Sequence, residues 1–455
     1  MRIPRNIFKA YDIRGIAGTE VTNQLALAVG KGFATLLQKE NPGKRLKVAV
    51  GRDMRETSPD LQQALIDGLV QSGVDVFDIG LVSTPAFYFA VGHLGADGGI
   101  TASASHNPAE YNGFKLVRSN AIPVGGDTGI DDIADVIENE VFTKLEPVGA
   151  IEKIEGIAGL AVEAEIEFAG TDPIKPFHVV IDTANGMGAQ YFDELLKKVN
   201  FRVDKMYWEF DGTFPNHEAD PFKEKNMVDL QERVVEVGAD LGISADGDGD
   251  RIFFVDNLGK TVEPAIVRGI LSRRVLTDYP GAAIGFDVRP GKITEDMIIE
   301  AGGKPVKTRV GHSLIKEKMR EVNAVFGGES SGHFFYKFPV GTFEGPVVAV
   351  LHFLQELTRS GETLAEFIAP LKRYFHSGEI NFDVEDKDGM IGEIKKTYQD
   401  GELNELDGIT ITYPKFWFNV RPSNTESKLR LNLEAVDAKT MQEKRDEITA
   451  IITGK

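Results

Sequence analysis

Leu241-Gly242-Ile243-Ser244-Ala245-Asp246-Gly247-Asp248-Gly249-Asp250-Arg251 is a short apolar run that passes straight into a loop of alternating aspartate and glycine. The apolar half reads as a buried strand. The loop half sets three carboxylates at every second position, and the glycines between them let the backbone fold those oxygens around one hard cation. An EF-hand is the first rival and it fails: its sixth position should be glycine and is Arg251, and its twelfth should be glutamate and is Asn257. A solvated acidic turn, the plainest alternative, has no need to follow a buried strand. Three protein carboxylates around a magnesium ion leave room for a phosphate oxygen and water, and Arg251 is placed to meet the same phosphate.

The grammar of strand running into polar loop occurs twice more, in Gly99-Ile100-Thr101 before Ala102–Pro108 and in Val325-Phe326 before Gly327–His333. In open α/β sheets ligands sit beyond the carboxyl ends of strands, where such loops lie. The spacing fits three similar α/β units, each giving one loop to a shared cleft. Between the loops, Leu46–Val50, Val74–Ile79, His178–Ile181, Ala282–Phe286 and Asn323–Phe326 read as further strands. Ser58-Pro59-Asp60 opens a helix with serine as N-cap and proline at the first helical position, and Leu61, Ala64, Leu65 and Leu69 give it an apolar face. Strands alternating with helices predict parallel sheets covered on both faces.

The C-terminal stretch reads differently. Phe416–Val420 leads into a polar loop, and Leu429, Leu431 and Leu433 then alternate with Arg430, Asn432 and Glu434, the period of a half-buried strand. A helix from Ala438, N-capped by Asp437, completes a separate small α+β domain. The junctions fall in the glutamate-rich stretch Pro147–Asp172 and near Pro370. The expected division is therefore α/β domains over 1–150, 151–256 and 257–370, and an α+β domain over 371–455.

Composition narrows the function classes. The 455 residues include no cysteine, which excludes a disulfide framework, a zinc–thiolate site, an iron–sulfur cluster and a cysteine nucleophile. The balance of 51 basic and 70 acidic residues, a net of −19, repels nucleic acid and anionic membranes, while a few arginines in a cleft can still draw in a small anion. Met1-Arg2-Ile3-Pro4-Arg5 has no apolar run behind it, and Val347–Leu354, the most apolar stretch, is broken by His352 and is far short of a bilayer span. The expectation is a soluble, cytoplasmic protein.

Three more loops carry candidate chemistry. Thr101-Ala102-Ser103-Ala104-Ser105-His106-Asn107-Pro108, with Asn112-Gly113-Phe114-Lys115 behind it, offers a serine nucleophile after a strand and a lysine as its general base. Gly328-Glu329-Ser330-Ser331-Gly332 matches the hydrolase elbow in its letters. A hydrolase still needs a triad Asp and His after that serine, and of His333, His352 and His376 the first is too near to be the partner. A polar loop with Glu, Ser and His suits a ligand rich in hydroxyl groups better. In Arg421-Pro422-Ser423-Asn424-Thr425-Glu426 one guanidinium with hydroxyl, amide and backbone donors makes an anion clamp. Gly291-Lys292 lacks the flanking residues of a nucleotide P-loop, and no strand–GxGxxG–helix fingerprint is present.

Taken together, these loops resemble the α-D-phosphohexomutase family, in its phosphomannomutase/phosphoglucomutase branch. The resemblance runs the whole length, from Phe8-Lys9-Ala10-Tyr11-Asp12-Ile13-Arg14-Gly15 through the serine, aspartate and Gly-Glu-Ser-Ser-Gly-His loops to Arg-Pro-Ser-Asn-Thr-Glu. It implies three related α/β domains and a fourth α+β domain around a central cleft. The activity it implies is a magnesium-dependent transfer of phosphate between C1 and C6 of mannose or glucose phosphate, through a phosphoserine and a bound hexose 1,6-bisphosphate.

The resemblance also assigns residues. Ser105 is the phosphorylated serine, and Asp246, Asp248 and Asp250 ligate magnesium together with its phosphate. Arg14, Lys115 and Arg251 surround the reacting phosphoryl group, with His312 near the sugar. Glu329 and Ser331 hold sugar hydroxyls, and Tyr11, Arg289 and His333 join them as substrate-binding residues. Arg289 stands where a lysine is common. Arg421, Ser423, Asn424 and Thr425 clamp the phosphate that is not reacting. The alternatives are a phosphoglucosamine or phosphopentose mutase, and a catalytically silent sugar-phosphate sensor. The partners expected are small sugar phosphates, with neither nucleic acid nor membrane, and the oligomeric state is left open.

Overall fold

The computed structural model describes residues 1–423 and 428–454, which fall into two compact units. One comprises Met1–Val262 with Gly332–Leu364, the other Glu263–Ser331 with Ala365–Lys455. The α/β class expected from the sequence holds in both.

In the first unit Val48, Ala49 and Val50 have no exposed surface, because the strand Lys47–Arg52 is central to a seven-stranded sheet. The main path runs Ile13–Ile16, Tyr111–Arg118, Gly98–Ala102, Lys47–Arg52, Asp75–Leu81, Ile151–Lys153. The four strands from Gly98–Ala102 onward pair in parallel, and the pairings that bring in Tyr111–Arg118 and Ile13–Ile16 are antiparallel. The sheet is therefore mixed rather than parallel throughout. The helices Asn23–Glu40 and Ser58–Gln71 pack against each other through Gly30 and Gly68. A Cβ on either would come within 2.5 Å and 2.3 Å of a carbonyl on the other helix, so only glycine permits the crossing.

The helix Ser58–Gln71 starts where Ser58-Pro59 predicts, but Ser58 does not cap it. Its hydroxyl turns back and donates to Asp53 Oδ1 at 2.6 Å. The stretch Pro147–Asp172, expected as a junction, contains the edge strand Ile151–Lys153 and the helix Ile157–Ala169. A second, four-stranded sheet runs Ile252–Asp256, Leu241–Ala245, His178–Asp182, Arg202–Met206. Leu241–Ala245 lies between a parallel and an antiparallel neighbour and is wholly buried, which aims the aspartate loop out of the strand's carboxyl end. A hairpin of Phe334–Phe338 and Gly341–Glu344 and the helix Pro346–Ser360 complete this unit.

In the second unit Ala283–Asp287 pairs in parallel with Lys304–Thr308 on one side and Phe326–Gly328 on the other. The expected strand Asn323–Phe326 is displaced toward its C-terminal end, since Asn323 takes a left-handed turn at φ 55°. The C-terminal sheet is antiparallel, with Phe416–Pro422 and Leu429–Ala435 at its heart, and the helix Ala438–Thr453 is capped by Asp437 as expected. The alternation over Leu429–Glu434 predicts one wet face, yet Asn432 and Glu434 are buried too. Glu434 Oε2 accepts from Gly291 N, Lys292 N and Trp417 Nε1, so its carboxylate caps the helix Lys292–Glu300. Among the described residues no helix is long and apolar enough to cross a membrane.

Candidate active site

Ser105 sits at φ 50°, a left-handed conformation that an L-residue holds only when its surroundings impose it. The turn is what points its side chain inward. The hydroxyl, 3% exposed, donates to Asp246 Oδ2 at 3.1 Å and lies 3.1 Å from His106 Nδ1, while its amide donates to Ser103 Oγ. The aspartate loop approaches closely because residue 247 is glycine, where a Cβ would stand 2.5 Å from the Ser105 carbonyl. Two loops far apart in sequence thus meet backbone to backbone.

Asp246, Asp248 and Asp250 are all buried, each with a carboxylate oxygen within 4.8 Å of the others. Asp246 Oδ1 accepts from the amides of Asp250 and Arg251, which curls the loop. Lys115 Nζ bridges Asp248 Oδ2 at 2.6 Å and Asp250 Oδ2 at 2.7 Å, and Thr84 Oγ1 donates to the same Asp248 oxygen. One lysine does not balance three carboxylates. Burial first, then the Asp250 and Asp248 charges, push Asp246 well above the usual carboxylate range. The buried Asp248 Oδ1 and Asp250 Oδ1 have no hydrogen-bond partner. Unpartnered carboxylate oxygens on an all-oxygen loop fit a hard divalent cation.

Lys115 is expected from sequence to serve as a general base. Burial would lower its pKa, but Asp248 and Asp250 outweigh burial and hold it well above the usual lysine range. His106 is the reverse: removal from water, then the Arg251 and Arg14 charges, keep it well below the usual histidine range and therefore neutral.

Arg251 Nε donates to His333 Nε2 at 3.1 Å, so the ring proton of His333 sits on Nδ1, facing Glu344 Oε1 at 3.4 Å and Asp250 Oδ1 at 3.5 Å. The sequence groups His333 with Glu329 and Ser331, whereas its ring packs with Arg251 and the aspartate loop. Arg14 Nη1 donates to Asn107 Oδ1 at 2.8 Å and Nη2 pairs with Asp12. Tyr11 is half-buried in the turn before the strand Ile13–Ile16.

In the second unit Arg289 Nη2 lies 2.6 Å from Asp287 Oδ2 and 3.1 Å from Glu329 Oε1, with Ser331 buried nearby in sequence. Ser330, the serine of the elbow pattern, donates its hydroxyl to Asp287 Oδ1 at 2.8 Å and its amide to Asp287 Oδ2, and Arg268 Nη1 meets its oxygen at 3.2 Å. A hydroxyl held this way supports a carboxylate and is no nucleophile. His312 is the half-buried first residue of the helix His312–Glu321. Arg421, 1% exposed, donates through Nη2 to Glu379 Oε2 at 3.2 Å, and its buried Nε has no partner. Ser423 N donates to Lys428 O, which closes the base of the loop. Asn424 and Thr425 lie outside the described residues.

Sequence reasoning missed Thr84, Arg55, Asp287, Arg268 and Glu379. Only Asp287 left a trace, as the end of an apolar strand.

The phosphoglucomutase/phosphomannomutase family models match in chain order: alpha/beta/alpha domain I over residues 5–144, domain II over 161–259, domain III over 265–374 and the C-terminal domain over 379–451. The chain is 36% identical over 455 residues to a phosphomannomutase of Vibrio cholerae, covering 98% of each. It is 34% identical over 440 residues to a phosphomannomutase/phosphoglucomutase of Pseudomonas aeruginosa, covering 95% of this chain and 92% of the relative. A crystal structure of a phosphoglucomutase/phosphomannomutase family protein from Burkholderia thailandensis aligns over 100% of this chain and 98% of that one, at 30% identity and a TM-score of 0.89. The chain belongs to the phosphoglucomutase/phosphomannomutase family, and it is a mutase enzyme.

Proposed function

We propose that this enzyme moves a phosphate between the C1 and C6 oxygens of mannose or glucose phosphate, with Ser105 as the phosphoryl carrier. The observation that carries the reading is the Ser105 hydroxyl turned onto Asp246 in a buried group of three carboxylates and one lysine. A sugar-phosphate sensor has no use for that arrangement.

In the forward half-reaction a sugar hydroxyl attacks the phosphorus of phosphorylated Ser105. The P–Oγ bond breaks as the new P–O bond forms, and the hydroxyl proton ends on Ser105 Oγ, for which the neutral His106 beside it is the nearest shuttle. The product is a hexose 1,6-bisphosphate, which turns over and returns its other phosphate to Ser105. Asp246, Asp248 and Asp250 would hold magnesium, whose charge offsets that of the phosphoryl group. Lys115, held between Asp248 and Asp250, serves the transfer from beside the carboxylates, and Arg14 and Arg251 orient the phosphate oxygens. Arg289, Glu329, Ser331, His333, His312 and Tyr11 serve the sugar. Arg421 and Ser423 hold the phosphate that is not reacting, with Asn424 and Thr425 completing that loop.

The test is an assay of the purified enzyme on mannose 1-phosphate and glucose 1-phosphate with a catalytic amount of hexose 1,6-bisphosphate, alongside mass spectrometry of the peptides that contain Ser103, Ser105 and Ser331. Turnover of either sugar with phosphate on Ser105 is expected. Phosphate found only on Ser103 or Ser331 moves the carrier, and the absence of turnover on both sugars removes the hexose reading.

A further inference from the structure

Arg55, in the loop that leaves the strand Lys47–Arg52, is 1% exposed. Its Nη2 donates to the carbonyls of Ser105 at 2.9 Å and Asn107 at 2.6 Å. Its Nη1 donates to the carbonyls of Pro108 at 2.8 Å and Tyr111 at 3.0 Å. Its Nε faces Asp53 Oδ2 at 3.3 Å. A guanidinium has five N–H donors, and here the four on Nη1 and Nη2 go to main-chain carbonyls, while Nε lies within ion-pair range of Asp53 and makes no hydrogen bond among the described residues. No Nη donor is left for a substrate phosphate. One face of the guanidinium is covered by Phe214, whose ring centroid lies 5.0 Å from Cζ, and Gly212 abuts its backbone so closely that a Cβ would come within 2.6 Å of Arg55 Cα.

The four carbonyls share one property: all belong to the connection that carries Ser105 between the strands Gly98–Ala102 and Tyr111–Arg118. That connection includes the left-handed turn at Ser105, which local sequence does not favour because the residue has a Cβ. Something outside the loop has to hold it. We infer that Arg55 is a positioning residue for phosphoryl transfer: by gathering the carbonyls of Ser105, Asn107, Pro108 and Tyr111 it fixes the turn and so the aim of Ser105 Oγ at Asp246. The inference rests on the reading of Ser105 as the phosphoryl carrier.

The frame behind Arg55 is rigid. Asp53 Oδ1 accepts from Arg55 N at 3.0 Å and from Ser58 Oγ at 2.6 Å, and Asn112 Nδ2 donates to Ser58 Oγ and Thr57 Oγ1. The guanidinium is thereby tied to the strands on both sides of the serine loop. Lysine cannot take its place, because three donors on one nitrogen do not span four carbonyls in a planar fork.

The experiment uses the full-length enzyme and its Arg55→Lys and Arg55→Ala variants. Phosphate transfer onto Ser105 from glucose 1,6-bisphosphate is followed by rapid quench and intact mass, next to steady-state kinetics and thermal melts. Arg55→Lys is expected to load Ser105 about 100-fold more slowly and to lose kcat by a similar factor, the size of effect when a reacting group is displaced by about 1 Å, with KM little changed. In Arg55→Ala, added methylguanidinium is expected to restore part of the loading rate.

A residue needed only for folding predicts something else: a reduced amplitude of loading at the parental rate, following the melt, with no response to methylguanidinium. That result overturns the inference, as does loading of Arg55→Lys at the parental rate. A parent enzyme that takes no phosphate on Ser105 overturns the carrier reading and the inference with it. A parent that loads normally beside variants that load as fast overturns the inference alone.

Discussion

Asp246 and Asp287 occupy matching places in the two units. Each stands at the carboxyl end of a buried strand with a parallel neighbour, Leu241–Ala245 in one case and Ala283–Asp287 in the other. Their charges are handled in opposite ways. Asp287 is met by Arg289, Arg268 and both donors of Ser330, and although burial works against ionisation, the two guanidiniums outweigh it and hold its pKa at about 2. Asp246 has two backbone amides, the Ser105 hydroxyl, Arg251 Nε at 3.7 Å and two neighbouring carboxylates, and burial with those carboxylates pushes it up instead. The second unit closes its charges internally; the first leaves negative charge over for a cation and a phosphoryl group. The same strand-end architecture yields scaffold or chemistry according to how fully arginines of the chain outweigh burial and neighbouring carboxylates.

If the open centre is the chemical one, its removal should cost most. Ser105→Ala is expected to lower kcat on the order of 10⁴-fold or more, as loss of a covalent carrier does, with no phosphate taken from bisphosphate in a mass measurement. Retained turnover would put the chemistry elsewhere and erase the contrast. Asp248→Ala should come next, at about 10²- to 10³-fold, because it removes a cation ligand and frees one side of Lys115. Chelation of the parent should have a comparable effect, reversed by magnesium. Full activity in excess chelator would mean that Lys115 alone balances the triad.

The sequence made the open centre more legible than the closed one. Asp246, Asp248 and Asp250 lie within one loop, and their alternation with glycine is visible in a single line of text. The partners of Asp287 are scattered: Arg268 on a helix before it, Arg289 just after it, Ser330 on the next strand-end loop. No local pattern links them, and the one that exists, the elbow letters around Ser330, suggests the wrong chemistry. Arg55 is hidden for the same reason, since its partners are main-chain carbonyls some fifty residues on, which carry no residue type to read. Elements with strong hydrophobic periodicity were legible, with ends displaced where a turn such as Asn323 intervened. The alternation over Leu429–Glu434 misled because burial of Glu434 depends on a helix that no neighbouring residue announces.

The clamp reading of Arg421 tests the closed unit from within. Its guanidinium is paired with Glu379, and its buried Nε has no hydrogen-bond partner among the described residues. A charge-assisted hydrogen bond of this kind contributes about 1.5–3 kcal/mol, roughly ten- to a hundred-fold in affinity. Arg421→Ala should raise KM by that factor and demand more bisphosphate activator, because the intermediate escapes before it turns over. Lys115→Ala should instead lower kcat with little change in KM. An Arg421→Ala enzyme with parental KM and activator demand would make the loop a hairpin and nothing more.

The smallest effect expected is on stability alone and concerns Glu165, a second carboxylate of the first unit that lacks a cation. It is buried, and Oε2 accepts only from the amides of Val347 and Val348 at the start of the helix Pro346–Ser360. Burial raises its pKa to about 8, with the two amides opposing. A raised carboxylate pKa favours the folded state fully below the unfolded value near 4.5, and that advantage is lost as pH rises toward 8. Asp287 has the opposite sign: the stability it gives is present above the unfolded value near 3.8 and is lost as pH falls through about 2. Glu165→Gln keeps an acceptor for both amides and removes the titration. Between pH 6 and pH 7 the parent should therefore lose about 1.4 kcal/mol relative to Glu165→Gln, read as a growing gap in urea midpoint with catalysis unchanged. Below about pH 4 the two should run parallel, since both side chains are then neutral whether folded or unfolded. Parallel curves from pH 5 to 8 would mean that Glu165 is as well compensated as Asp287, and the contrast between the two units would then be confined to the aspartate loop.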